Sequence, residues 1–74
     1  MQPFMISLEA ARVNAKLTQR ELASMLGVHR TTIHNWEKGK SSPDAAHLRK
    51  IGEITKTPID YIFLPDVLLK VNAM

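Results

Sequence analysis

The stretch TQRELASMLGVHRTTIHNWEKGK, Thr18 to Lys40, constrains the fold more than any other part of the chain. Thr18-Gln19-Arg20-Glu21 spells a capping box: the threonine hydroxyl accepts from the Glu21 amide while the Glu21 carboxylate accepts from the threonine amide. Behind it Leu22, Ala23 and Leu26 form one apolar face. Gly27 follows at the point where a left-handed residue lets a helix stop and the chain reverse cheaply. Val28 packs into that elbow. A second helix is predicted over His29 to Lys38, with Ile33 and Trp36 buried at i, i+3 and Gly39 as terminator.

The remaining pattern is also helical. Ser7 can cap a first helix whose apolar contacts Leu8, Ala11 and Ala15 recur at i, i+3, i+7 and which ends near Lys16. Ser41-Ser42-Pro43-Asp44 reads as a start signal, with a serine cap, proline in the first turn and a carboxylate near the positive end of the dipole. Leu48, Ile51 and Ile54 give the helix that follows its inner face. Thr57-Pro58-Ile59-Asp60 repeats the grammar, so a short fifth helix is expected from Pro58 to about Leu64, with Ile59, Ile62 and Phe63 inward and Pro65 ending it. No strand signal appears. The expected core is Leu8, Ala11, Leu17, Leu22, Ala23, Leu26, Val28, Ile33, Trp36, Leu48, Ile51, Ile54, Ile59 and Ile62. The fold class is therefore all-α, a compact five-helix domain over residues 7–64, with an N-terminal arm over 1–6 and an apolar tail over 65–74.

Seventy-four residues make one small domain, because a chain of this size buries only roughly 60% of its unfolded surface. With no cysteine, neither a disulfide framework nor a thiolate zinc site is available, and a reducing, cytoplasmic setting is expected. No run approaches the ~20 apolar residues of a membrane span, and no secretory leader is read at the start. Net charge is +3 at pH 7 and is unevenly placed. From Arg12 to Lys40 the six cations Arg12, Lys16, Arg20, Arg30, Lys38 and Lys40 outnumber Glu21 and Glu37. From Ser41 onward Arg49, Lys50, Lys56 and Lys70 are balanced by Asp44, Glu53, Asp60 and Asp66. A basic first half suggests a polyanionic partner for that half.

Two short helices joined by a tight glycine turn, with Ala23 small enough to let them approach, meet the requirements of a helix-turn-helix. On the helix after the turn, Arg30, Thr31, His34, Asn35 and Lys38 are left outside the core and fall on one connected face. Any surface helix has a polar face, but this one stands behind a helix-turn-helix elbow, and its side chains suit base edges: Arg to guanine, Asn to adenine, a threonine methyl against the thymine methyl.

Four segments, LTQRELASMLGV, TTIHNWEKGK, SPDAAHLRKI and TPIDYIF, resemble in register the Cro and phage-repressor family of helix-turn-helix regulators, also called XRE-like. The resemblance covers about Leu8 to Phe63 and implies a lambda-repressor-like domain that binds an operator in double-stranded DNA as a homodimer. It implies that Gln19 grips phosphate and braces the recognition helix, that Arg30, Thr31 and Asn35 face the bases, and that Lys38 and Lys40 hold the DNA backbone. It also implies an internal ion bridge between Arg12 and Glu37. Three positions depart from the family. His29 stands where Ser or Thr is frequent, which weakens the cap of the recognition helix and offers an extra phosphate or base contact. Gly52 replaces a usual alanine, at about 0.5 to 1 kcal/mol in helix propensity. Lys56 replaces a turn glycine.

The remaining candidates have plain readings. His29, His34 and His47 include no i, i+4 pair, so no metal is expected. No nucleophile elbow, phosphate-binding loop or paired carboxylate points to catalysis, and no cofactor is expected. In the tail, Val67, Leu68, Leu69 and Val71 form an apolar cluster suited to a dimer contact, to a protein partner or to the core of the same chain. The favoured reading is a small repressor of a phage or mobile element. Its rival is an antitoxin or anti-repressor-like modulator that acts by binding another protein.

Overall fold

A computed structural model describes residues 5–63 of the chain. It is mostly helical: α1 (Leu8–Asn14), α2 (Gln19–Leu26), α3 (Arg30–Glu37) and α4 (Ala45–Thr55) are the α-helices among the described residues. Two short strands, β1 (Ile6–Ser7) and β2 (Ile62–Phe63), pair in parallel, Ile6 with Ile62 and Ser7 with Phe63. They fasten the two ends of the described chain beside α1.

Helix starts follow side-chain chemistry. Ser7 accepts from the Ala10 amide at 2.9 Å to open α1, and the Thr18–Glu21 capping box opens α2 with both reciprocal bonds made. Asp44, not a serine, caps α4 by accepting from the His47 amide at 2.8 Å. Pro43 consequently lies ahead of the cap, where it is buried, rather than in the first turn. His29 precedes α3 without a side-chain cap bond.

All four helices end in the same closed turn, in which two amides fold back to carbonyls five and three residues earlier. After α2 the pair is Val28 to Ala23 and Gly27 to Ser24; after α3 it is Lys40 to Asn35 and Gly39 to Trp36. After α1 it is Leu17 to Arg12 and Lys16 to Val13, and after α4 Thr57 to Gly52 and Lys56 to Glu53. The residue at the bend has positive φ each time: Gly27 and Gly39, but also Lys16 (62°) and Lys56 (56°).

The expected fifth helix is not formed. Ile59–Tyr61 makes one 3-10 turn, closed by the Tyr61 amide on the Pro58 carbonyl at 2.9 Å. Pairing with β1 then requires extended backbone at Ile62 and Phe63, so the strand pair takes the residues that a helix would have used. The absence of a strand signal is corrected by the same pair. The inward side chain expected for Phe63, Leu64, the Pro65 terminator and the 65–74 tail with Val67, Leu68, Leu69 and Val71 lie outside what is described.

The core cluster is Leu8, Leu22, Ala23, Leu26, Ile33, Trp36, Ile51 and Ile62, with Leu17, Val28, Leu48 and Ile54 packed on it. Ala11 is buried as well, whereas Ile59 is 42% exposed and belongs to the surface. Gly52 faces Ile59 and Thr57 so closely that a Cβ would meet Ile59 Cγ2 at 2.8 Å and the Thr57 carbonyl oxygen at 2.9 Å. The glycine is therefore required by that close approach, which corrects its reading as a loss of helix propensity alone.

Candidate nucleic-acid interface

The α2–α3 pair sets the site. Its elbow is the left-handed Gly27 (φ 71°), and Ala23 is buried in the core, its carbonyl accepting from the Val28 amide of the turn. Burial of Ile33 and Trp36 fixes the roll of α3 about its axis. Arg30 and Thr31 are then exposed, and His34 and Asn35 half-buried, on the opposite side. Lys38 and Lys40 are exposed where the chain leaves α3, and His29 is exposed where it enters. Trp36 is further covered by the His47 ring, with centroids 5.6 Å apart, and His47 Nδ1 lies 2.9 Å from the Asp44 carboxylate.

Gln19 sits at the first position of α2, half-buried between α2 and α3. Its Nε2 donates to Glu37 Oε1 at 2.9 Å, and its Oε1 accepts from Arg30 Nη1 at 3.0 Å. Glu37 also receives a guanidinium fork from Arg12, Nε to Oε2 at 2.6 Å and Nη2 to Oε1 at 3.3 Å. The third arm of Arg12, Nη1, donates to the Leu17 carbonyl at 2.7 Å. The two side chains are 10% and 2% exposed, so this is a buried ion pair. An acid in the last turn of a helix opposes the helix dipole, and the Arg12 fork compensates it. Among the described residues no buried side-chain nitrogen or oxygen lacks a partner.

Glu37 thus has a second duty, holding Gln19, which reading it only as the partner of Arg12 missed. The available signal was spacing: Glu37 follows Arg30 by seven residues, close to two helical turns, which aligns both along one edge of the outer face, where each reaches Gln19.

Electrostatics at the helix starts is governed by the caps. The Thr18 amide, and then its hydroxyl, hold the Glu21 carboxyl below its ordinary pKa. The His47 amide, and then the His47 ring, do the same for Asp44. Among the described residues no group of His, Asp and Glu could hold a metal ion, and no helix is long and apolar enough to cross a membrane.

The fold and the paired helices define a helix-turn-helix domain with a polar, cation-flanked outer face on its second helix. The family model for Helix-turn-helix matches residues 8–62, and the chain belongs to that family, the XRE-like helix-turn-helix regulators. It is similar to the HTH-type transcriptional activator BcrR of Enterococcus faecalis, 36% identical over 62 residues that cover 84% of this chain and 30% of that protein. It is also similar to a protein of Archaeoglobus fulgidus named as an uncharacterized HTH-type transcriptional regulator, 40% identical over 55 residues, 74% of this chain and 78% of that one. The chain therefore spans less than a third of the length of BcrR. No solved structure matches it at comparable significance.

Proposed function

We propose that the chain is a sequence-specific double-stranded DNA-binding transcriptional regulator, a small repressor of a phage or other mobile element, that lays α3 in the major groove. The observation that carries this reading is the outer face of α3: Arg30, Thr31, His34 and Asn35 stand away from the buried Ile33 and Trp36. Arg30 in the first turn pairs bidentately with guanine, Asn35 pairs with adenine, Thr31 supplies a methyl or hydroxyl contact, and His34 lies between them. Gln19, His29, Lys38 and Lys40 contact phosphates and fix the register. The first turn of α3, without a side-chain cap from His29, keeps amide donors for one of those phosphates. The Arg12–Glu37 ion pair ties α3 to α1 beneath.

One recognition helix touches only a few base pairs. Two copies are therefore proposed to bind a pseudo-palindrome with half-sites about 34 Å apart. Residues 67–74 are the proposed contact between them. Binding of this kind occupies promoter DNA, acts in the cytoplasm and needs neither cofactor nor catalysis.

Selection of bound duplexes from a random pool tests the reading. An enriched pseudo-palindrome supports it, and no enrichment turns it to the protein-binding modulator. BcrR carries the name of an activator, so a reporter placed behind the selected sequence decides the sign. Lowered expression supports repression, and raised expression replaces it with activation.

A further inference from the structure

The polarity of the hydrogen bonds around Gln19 is dictated by its neighbours. The Glu37 carboxylate can only accept and the Arg30 guanidinium can only donate. The Gln19 amide satisfies both in a single orientation, Nε2 toward Glu37 and Oε1 toward Arg30. Turned over, it would set NH2 against guanidinium and carbonyl against carboxylate. Glu37 in turn is clamped by the Arg12 fork, and Arg12 by the carbonyl of Leu17, the residue whose amide closes α1. A chain of hydrogen bonds thus links the exposed first turn of α3 to the buried interior, donated from Arg30 to Gln19 and from Gln19 to Glu37, and each link has one possible direction.

We infer that Glu37, whose side chain is 2% exposed, is a positioning residue for sequence reading: through Gln19 it presets the Arg30 guanidinium and so the base pair that Arg30 prefers. This rests on the reading role proposed above for Arg30. An isolated surface hydrogen bond to an arginine does little, because the long side chain loses rotamer freedom to make it. Here Gln19 is held from behind by a buried charge, so Arg30 meets that cost before DNA arrives, which is the benefit of preorganisation.

The test compares the wild type with Gln19→Met, Arg30→Ala and the double variant Arg12→Met/Glu37→Leu against single-base changes in the selected duplex. The double variant removes both buried charges together, so no uncompensated ion remains in the core. Gln19→Met leaves the buried pair in place and carries the test alone should the double variant not fold. Both relay variants are expected to lose roughly ten-fold in discrimination at the operator position where Arg30→Ala loses it. In the Arg30→Ala background, Gln19→Met should change affinity but not preference.

Uniform loss of affinity with preference intact in Gln19→Met overturns the inference while leaving the reading role of Arg30 in place. Unchanged preference in Arg30→Ala removes both. In the free protein, the guanidinium 15N signals of Arg30 should show hindered rotation that Gln19→Met releases. Free rotation in the wild type overturns the relay without reference to DNA.

Discussion

A methyl group at Gly52 would lie 2.8 Å from Ile59 Cγ2 and 2.9 Å from the Thr57 carbonyl oxygen. The side chain can shift, but the carbonyl belongs to the turn that closes α4, since the Thr57 amide bonds back to the Gly52 carbonyl at 3.0 Å. Two effects of opposite sign compete in Gly52→Ala. Helix propensity favours alanine by about 1 kcal/mol, and overpacking against a fixed neighbour costs about 1 to 3 kcal/mol. The contact with backbone decides it, so the variant should be less stable by about 1 kcal/mol and melt roughly 4 to 8 °C lower in a thermal scan. A melt at or above the wild-type temperature would mean that the α4 turn opens easily. The residue identity was legible, but its reason was not, because only the folded chain brings Ile59 over position 52.

Helix ends carry the next level of argument. Gly27 and Gly39 take their left-handed bends freely, whereas Lys16 and Lys56 hold the same conformation with a Cβ present. Left-handed backbone costs an L-residue about 1 to 2 kcal/mol, partly offset by the about 0.5 to 1 kcal/mol of chain entropy that glycine loses on folding. Lys56→Gly should therefore stabilise the domain by about 0.5 to 1 kcal/mol in urea unfolding, with an unchanged m-value. At the helix starts, Glu21 and Asp44 titrate below their ordinary values because they accept capping amides. Lowered folded-state pKa values mean that the unfolded chain binds these protons first as pH falls. Their contribution is complete at neutral pH and is lost below about pH 4. Melting temperatures between pH 7 and pH 2.5 should fall less steeply for Glu21→Gln and Asp44→Asn than for the wild type. These ends also show how far the sequence could be read. The Ser7 and Thr18 caps and the glycine stops follow from local chemistry that the residue types announce. The Asp44 cap was hidden among the adjacent serines and proline. The β1–β2 pair was invisible because two-residue strands show no alternation, and it is this pair that limits the expected fifth helix to a single turn.

Across the whole molecule, Arg12, Glu37, Gln19 and Arg30 tie α1, α2 and α3 into one unit. Arg12→Met would leave Glu37 buried with only the Gln19 amide, a change of about 3 to 5 kcal/mol. A domain of this length holds roughly 4 to 11 kcal/mol in total. The variant should thus melt far below the wild type or be unfolded by circular dichroism at room temperature, and a wild-type melt would show that the pair contributes nothing. Placement of the helix-turn-helix was legible because capping box, apolar faces and glycine elbow agree with one another. The network was only partly so, since a buried acid can have several partners and only packing selects among them. The central claim is that the outer face of α3 reads base sequence while the turn after it holds phosphate. The most direct measurement is the binding profile of Arg30→Ala and Lys40→Ala against every single-base change in the selected duplex, repeated over a range of salt. Arg30→Ala should lose about 1 to 3 kcal/mol and relax preference at one position. Lys40→Ala should weaken all sequences nearly equally and reduce the log-log salt slope by about one. Uniform weakening by Arg30→Ala together with altered base preference in Lys40→Ala would contradict the account.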